Sequence, residues 1–166
     1  MGRLLHGVVL IGVILAGMNG CATKSVSETS QTRIAVFDIE AYSMASAGSS
    51  TDMTEILTSR LIQSLQENPS VTVVEREQIT LALEELNLGS SALAEEETRL
   101  KIGQVIGASH MIFGGYQVFG GMMRLDLRMV EVETGKIVSV VDRSGPGSDI
   151  SEWLTTVDEM GTALLK

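Results

Sequence analysis

The chain has 166 residues, with 21 acidic and 12 basic side chains, a net charge of −9 and a single cysteine. The negative charge predicts that the chain does not bind nucleic acid, because it would repel the phosphates. One cysteine leaves no internal disulfide, and with only two histidines the chain lacks the usual ligands of a zinc site. We therefore expect no bound metal and no cofactor.

The chain begins with an apolar segment that predicts a signal peptide over residues 1–20. Residues 7–18 carry no charged side chain. A membrane-spanning helix needs about 20 apolar residues, so this run is too short to cross a bilayer and suits the apolar centre of a secretory signal. A buried core helix is the alternative, but such a helix would show a polar face, which this run lacks.

The single cysteine, Cys21, follows this segment directly. Met18-Asn19-Gly20-Cys21 resembles a lipobox, the cleavage site of bacterial lipoproteins. The resemblance implies that Cys21 carries lipid, and two or more acyl chains give stable membrane anchoring. Ala22 is not Asp, which indicates the periplasmic face of the outer membrane as the destination. A free or intermolecularly paired thiol is the alternative for Cys21.

Residues 21–32 are predicted to form the lipidated cysteine and a flexible tether. Residues 22–32 are polar and without periodicity, and fully extended they reach at most about 40 Å. Signal removal takes away one arginine and no acid, so the net charge changes from −9 to −10. The lipid, rather than attraction to anionic headgroups, must therefore supply the membrane affinity. The remaining residues, 33–166, suffice for one domain.

The domain opens with a predicted strand, helix and strand. Residues 33–40, RIAVFDIE, are rich in strand-forming residues, and Asp52-Met53-Thr54-Glu55 resembles a capping box that opens a helix. Asn68-Pro69 ends that helix, and residues 71–76 predict the second strand. This spacing predicts a right-handed parallel crossover. The apolar stripe of the helix comprises Met53, Ile56, Leu57, Leu61 and Leu65.

Two further helices are predicted over residues 77–88 and from the acidic run at 95–97 to Gly107. The second of these is expected to bury Leu100, Val105 and Ile106. Gly103 and Gly107 are four residues apart and would let this helix lie close to the sheet or to a neighbour. For Gly107 we favour the simpler role of ending the helix.

Three closely spaced strands and a last helix complete the predicted domain. The strands cover residues 109–118, 122–133 and 136–142, and Gly120-Gly121 and Thr134-Gly135 supply tight turns between them. They predict an antiparallel meander. A capping box at residues 149–152 opens the last helix, whose apolar stripe comprises Ile150, Trp153, Leu154, Val157 and Leu164. The expected fold is a single α/β domain with a mixed sheet.

We find no pattern that predicts a catalytic site. The sequence has no nucleophile elbow, phosphate-binding loop, dinucleotide fingerprint or HExxH. His110 would be the one histidine after signal cleavage, and its place at a strand start favours a structural role. Arg124, Asp126 and Arg128 alternate along one strand face, which indicates either a solvated charged face or an interface. These observations favour a binding protein over an enzyme.

Acidic residues concentrate in the segment 75–97. It holds seven acids against one base, Arg76. A solvated helix face that maintains solubility is one interpretation. A docking surface for a basic partner is the other, because clustered charge raises association rates.

Three stretches resemble CsgG-like proteins, the curli production assembly/transport components. They are VTVVEREQITLALEELNLG at 71–89, RLKIGQVIGASHMIFGGYQ at 99–117 and MRLDLRMVEVETGKIVSV at 123–140. Together with the first strand and the lipobox, the resemblance covers nearly the whole chain. It implies one CsgG-like periplasmic domain over 33–166. LpoB-like activators of penicillin-binding proteins share this soluble fold.

The resemblance implies a non-enzymatic, outer-membrane-anchored periplasmic lipoprotein in curli-type secretion or envelope assembly. Its implied partner is an envelope protein, with a homo-oligomer as a further option. Pore-forming members insert long hairpins after the strands equivalent to 109–118 and 136–142. Here the connections are Gly120-Gly121 and DRSGPGSD, whereas a spanning strand takes about 9–11 residues. We therefore expect this chain to lack barrel hairpins of its own.

Activation of a penicillin-binding protein in peptidoglycan synthesis is the alternative function. Such a lipoprotein must reach from the outer membrane to a synthase anchored in the inner membrane. A tether limited to about 40 Å is short for that span. The secretion or assembly role therefore ranks first, and the activator role second.

Overall fold

The computed structural model describes residues 31–42, 50–86 and 96–166, which form one α/β domain around a five-stranded mixed sheet. The strands are β1 (Thr32–Ala41), β2 (Val71–Val73), β3 (His110–Phe119), β4 (Met122–Glu131) and β5 (Ile137–Pro146). The helices are α1 (Ser50–Gln66), α2 (Arg76–Glu85), α3 (Glu96–Val105) and α4 (Ile150–Leu164). The prediction of a single α/β domain with a mixed sheet is confirmed.

The sheet has the order β2-β1-β3-β4-β5, so the first strand of the domain lies inside the sheet. β1 pairs in parallel with both β2 and β3, whereas β3, β4 and β5 pair antiparallel. The predicted parallel crossover and the predicted meander are therefore both confirmed. β1 is buried on both faces at Ile34, Ala35 and Val36, as expected of a strand that is covered on both sides.

One face of the sheet is covered by α1 and α4. Leu57, Leu61 and Leu65 of α1 and Val157 and Met160 of α4 are all 0 % exposed. Helices α1 and α4 also contact each other closely, because a Cβ at Gly161 would lie 3.3 Å from Leu61 Cδ1. An ion pair between Arg60 and Asp158 links the same two helices. We call this side the closed face.

The opposite face is covered by α2 and α3, but only in part. Ile79 and Ala82 of α2 and Ile102 of α3 pack against buried residues of β1, β3 and β4. At Gly103 a Cβ would lie 2.6 Å from Met111 Sδ, so the helix lies close to the sheet there and a larger residue would displace the Met111 side chain. The rest of this side, over the second half of β1 and its neighbours, has no helix above it in the described residues. We call this side the open face.

β1 contains a β-bulge that is hydrogen-bonded to α1 on the closed face. The pairing of β1 with β3 shifts between Val36 and Ile39, so β1 has one extra residue there. The N–H of Ile39 donates to Thr58 Oγ1 of α1 at 3.0 Å, and Thr58 is 0 % exposed. The hydroxyl thus satisfies a buried donor, and the bulge exposes Asp38.

The tight turns form where the glycines predict them. Gly120 and Gly121 have φ of 59° and 78°, as a two-residue type I′ turn requires. Gly135 has φ of 68° in the connection between β4 and β5, and Gly107 ends α3 with φ of 66°. The N-cap prediction for α4 is also confirmed, because Asp149 Oδ1 accepts from the N–H of Ser151 and of Glu152.

Several predicted boundaries and burial patterns were wrong. α1 begins at Ser50, before the proposed capping box, and β5 extends to Pro146 into the segment that was predicted as a connection. Ile56 and Val105 are 43 % and 47 % exposed, and Ile102 is buried instead. The helix rotation explains Val105: Gly103 faces the sheet, and a residue two positions later points about 200° away.

Candidate binding groove on the open face

The uncovered part of the open face forms a groove of about 960 Å³. Strands β1, β3, β4 and β5 contribute its floor, and α2 and α3 form one side. The groove brings together aromatic, aliphatic and charged side chains from six elements. The residues that line it include Phe37, Asp38, Glu40, Tyr42, Arg76, Ile79, Leu83, Arg99, Phe113, Asp126, Arg128, Ile137 and Val140.

Two stacked phenylalanines form the floor of the groove. The rings of Phe37 and Phe113 have centroids 5.0 Å apart and an interplanar angle of 26°. Both residues are almost fully buried. They lie side by side because β1 and β3 are adjacent parallel strands and both side chains point to the same face of the sheet.

Tyr42 lies over β3 at one end of the groove. A Cβ at Gly115 would overlap the Tyr42 ring, so the ring occupies the space of a side chain at 115. The backbone N–H of Tyr42 donates to the carbonyl of Tyr116 at 2.8 Å and holds the chain against β3. The ring itself remains 62 % exposed.

Two arginines point their guanidinium groups at the same phenylalanine ring. The Cζ of Arg99, from α3, lies 4.5 Å from the Phe113 centroid, and the Cζ of Arg128, from β4, lies 5.7 Å from it. Such contacts are attractive because a cation faces the negative side of the ring. Among the side chains that the structure describes, no carboxylate lies within ion-pair distance of either arginine.

Asp38, Arg76 and Asp126 also line the groove and are paired. Arg76 binds Asp38 at 2.6 Å. This hydrogen bond raises the pKa of Arg76 and outweighs burial, which lowers it. Arg124 donates to both carboxylate oxygens of Asp126, at 2.8 to 3.1 Å, and this contact likewise raises the pKa of Arg124.

The structure separates the three alternating charges of β4. Arg124 and Asp126 pair with each other along the strand, with Asp142 of β5 3.5 Å from Arg124. Arg128 instead turns to Phe113 in the groove. The charge pairs of Arg124 agree with the interpretation as a charged face, and the interpretation as an interface stays a prediction.

The other sequence-based candidates that the structure describes do not line the groove. His110 begins β3, with Nδ1 3.1 Å from Ser109 Oγ. Glu75, Glu77, Glu84, Glu85 and Glu97 are exposed, and Glu95 lies outside the described residues, so both interpretations of the acidic segment stay open. Cys21, the signal peptide and the tether also lie outside the described residues, and lipidation stays a prediction.

Within the described ranges, no group of three His, Cys, Asp or Glu side chains is arranged to hold a metal ion. The expected lack of a metal or cofactor stays a prediction. None of the helices of these ranges combines the length and the apolar character needed to cross a membrane.

Comparison with known families identifies the chain. The family described as Curli production assembly/transport component CsgG matches residues 19–124, which is more than half of the chain. The chain belongs to the CsgG family. The matched region begins two residues before Cys21 and includes every groove residue named above except Asp126, Arg128, Ile137 and Val140. The predicted family resemblance is confirmed.

Several solved structures share the fold of this domain. The LpoB C-terminal domain from Salmonella enterica has a TM-score of 0.59 at 19 % identity, covering 73 % of this chain and 87 % of that domain. Lipoprotein GNA1162 from Neisseria meningitidis has a TM-score of 0.57 at 15 % identity, with coverages of 80 % and 99 %. These identities establish a shared fold and nothing further.

A third similar structure is an oligomer. The PelC dodecamer from Paraburkholderia phytofirmans has a TM-score of 0.51 at 14 % identity, covering 81 % of this chain and 88 % of that one. A search of curated protein sequences gave no match to the chain.

Sequence reasoning missed the groove as a site, although one signal was present. The Gly114-Gly115 pair inside a strand indicates close approach of another group, which proves to be Tyr42 at Gly115. Arg99 and Phe113 gave no such signal, because their contact depends on how α3 packs on the sheet.

Proposed function

We propose that this protein is a non-enzymatic lipoprotein, anchored through Cys21 at the periplasmic face of the outer membrane. It acts by binding another envelope protein in curli-type secretion or envelope assembly. The observation that carries the proposal is the CsgG-family match over residues 19–124. The match includes Cys21 itself and the first three strands of the domain.

The chemistry of the groove favours binding over catalysis. Its cationic groups are arginines, which are not deprotonated in proteins and therefore do not serve as general acids or bases at neutral pH. Two of its carboxylates, Asp38 and Asp126, are engaged by arginines. An aromatic floor with charged groups above it suits a peptide side chain that presents both an apolar body and a polar end.

The lipid anchor is tested by substitution of the cysteine. We expect Cys21→Ala to abolish incorporation of labelled palmitate and to leave uncleaved or mislocalised precursor. Membrane fractionation of the wild-type protein gives the matched control for localisation. Equal labelling of wild type and variant would show that Cys21 is not the acylated residue.

The protein partner is tested by photo-crosslinking in cells. A photo-reactive residue replaces Val140, which is 62 % exposed beside the groove, and in a control it replaces Ser59, which is exposed on α1 behind the closed face. We expect the Val140 position, and not the Ser59 position, to capture an envelope protein. Equal capture at both positions, or none at Val140, would contradict a partner-binding role of the open face.

The identity of the captured protein separates the first function from the alternatives. A secretion or assembly component would support the first proposal, and a penicillin-binding protein would support the activator role. A crosslinked pair of copies of this chain would identify the open face as a homo-oligomer interface. The likeness to the LpoB domain supports the activator role only through the shared fold.

A further inference from the structure

We propose that the groove recognises an acidic side chain of the partner protein, with its carboxylate held between Arg99 and Arg128. The neighbouring apolar residue of the same peptide segment then packs on the exposed side chains of Ile137 and Val140, which line the groove beside the phenylalanines. This inference rests on the proposed function, in that it specifies the chemistry of the partner that binds the open face.

The two arginines lie against the same aromatic ring of the groove. Arg99 and Arg128 come from different elements, α3 and β4, and converge on one ring. Their Cζ atoms are therefore no farther apart than the sum of 4.5 Å and 5.7 Å. Two cations within this distance create a local positive potential that attracts a carboxylate, and charge-assisted hydrogen bonds to the guanidinium groups would then hold it.

The side chains of Arg99 and Arg128 are already packed against Phe113 in the unbound protein. Each residue is half-buried, each guanidinium is fixed by its contact with Phe113, and the Nε of Arg99 is buried. A preorganised cation loses less conformational entropy on binding than a solvent-exposed arginine does. These two arginines therefore form a better anion site than arginines on the free surface.

The groove already contains three carboxylates, those of Asp38, Glu40 and Asp126, among the described residues. Asp38 is paired with Arg76, and Asp126 is paired with Arg124. Glu40 is exposed and lines the same groove without an ion-pair partner among the described side chains. Glu40 is therefore the lining carboxylate that no described arginine engages, and its charge would oppose the binding of a ligand carboxylate.

The surroundings of the two arginines favour a peptide segment with one acidic residue over a polyanion. The floor is apolar, with Ile79 and Leu83 of α2 beside the phenylalanines. The same helix carries exposed Glu77, Glu84 and Glu85, and these would repel a chain of many negative charges. The groove thus fits an apolar-acidic pair of residues, with basic residues favoured next to α2.

The test uses the mature, lipidated full-length protein in detergent and a capped peptide, N-acetyl-Phe-Glu-Phe-amide. NMR signals of the arginine Nε–H groups report on binding. We expect the peptide to shift the signals of Arg99 and Arg128, and its Gln counterpart to bind about tenfold more weakly. Arg99→Met and Arg128→Met, which keep an apolar contact with Phe113, should each weaken binding by about the same factor.

Two control variants sharpen the test. Arg143→Met removes an exposed arginine of β5 outside the groove and should leave binding unchanged. Glu40→Gln should tighten binding by roughly threefold, because it removes the opposing negative charge. A gain of affinity cannot result from misfolding, so this variant remains informative if an arginine variant folds poorly.

The inference is overturned if the Glu and Gln peptides bind equally, or if Arg99→Met and Arg128→Met bind the Glu peptide as well as the wild type does. Capture of an envelope protein at Val140 together with either result would leave the proposed function standing and remove only its acidic specificity. Selective binding of the Glu peptide without any capture at Val140 would support the anion site and contradict the proposed function.

Discussion

Two long helices cover the closed face of the sheet, whereas within residues 31–42, 50–86 and 96–166 only α2 and α3 cover the open face, and only in part. Leu57, Leu61 and Leu65 under α1 are 0 % exposed. On the open face, Tyr42 and Val140 are each 62 % exposed. Apolar burial, which supplies most folding free energy, is thus continuous on one side and interrupted on the other. The closed face therefore holds the more continuous apolar core, and the face opposite it carries the groove that we propose as the binding site.

The largest expected effect lies in the closed face. Leu61→Ala removes a fully buried side chain between α1 and α4 and should lower the free energy of unfolding by about 2–5 kcal/mol. Urea unfolding followed through the fluorescence of Trp153, the single tryptophan, measures this change. Leu81→Ala, at a position of α2 that is 54 % exposed, should cost within about 0.5 kcal/mol. Similar losses in both variants would refute the division between the faces.

A second substitution tests the β-bulge of β1, which contacts α1 through Ile39 and presents Asp38 on the open face. Thr58→Val is nearly isosteric but removes the oxygen that accepts from Ile39 N–H, and should cost about 1–3 kcal/mol because a buried donor loses its partner. The bulge that presents Asp38 should also loosen, so the NMR signals of Arg76 should change. Thr58→Ser keeps the hydroxyl and should retain the signals. Unchanged Arg76 signals in the valine variant would mean that the bulge does not depend on this bond.

The smallest expected effect on stability belongs to the open face. Gly115→Ala places a Cβ where the exposed Tyr42 ring lies, and the ring can move away, so the stability should change by no more than about 0.5 kcal/mol. The Tyr42 ring signals should nevertheless move towards those of an unstructured tyrosine. Gly145→Ala, whose Cβ would make an ordinary contact of 3.7 Å with Trp153, should leave Tyr42 unaffected. If the two variants behave alike, Tyr42 is not held by β3.

Much of the fold was predictable because its signals are local. Alternating or helical spacing of apolar residues gave the type and order of every described element, and the glycines at 120, 121 and 135 gave the turns. The end of β5 was not predictable, because Arg143 to Pro146 resemble a loop and become a strand only by pairing with β4. Sheet pairing of this kind overrides local propensity.

The groove could not be predicted from residue patterns. Arg99 and Phe113 are brought together by the packing of α3 on the sheet, and Arg128 joins them by its register opposite Phe113. Neither the helix rotation nor the register can be read from one sequence. The burial of Ile102 rather than Val105 likewise depends on the rotation of α3, which places Gly103 and Ile102 towards the sheet and Val105 towards solvent.

The position of β1 has a mechanical consequence. Any pull on the chain ahead of residue 32 acts along this strand, which is hydrogen-bonded to β2 on one side and to β3 on the other. Such a force loads the hydrogen bonds of both ladders together in shear, instead of separating them one after another from an edge. A domain held at its amino-terminal end and pulled by a partner on the sheet should therefore resist unfolding better than one attached through β5, which lies at an edge of the sheet.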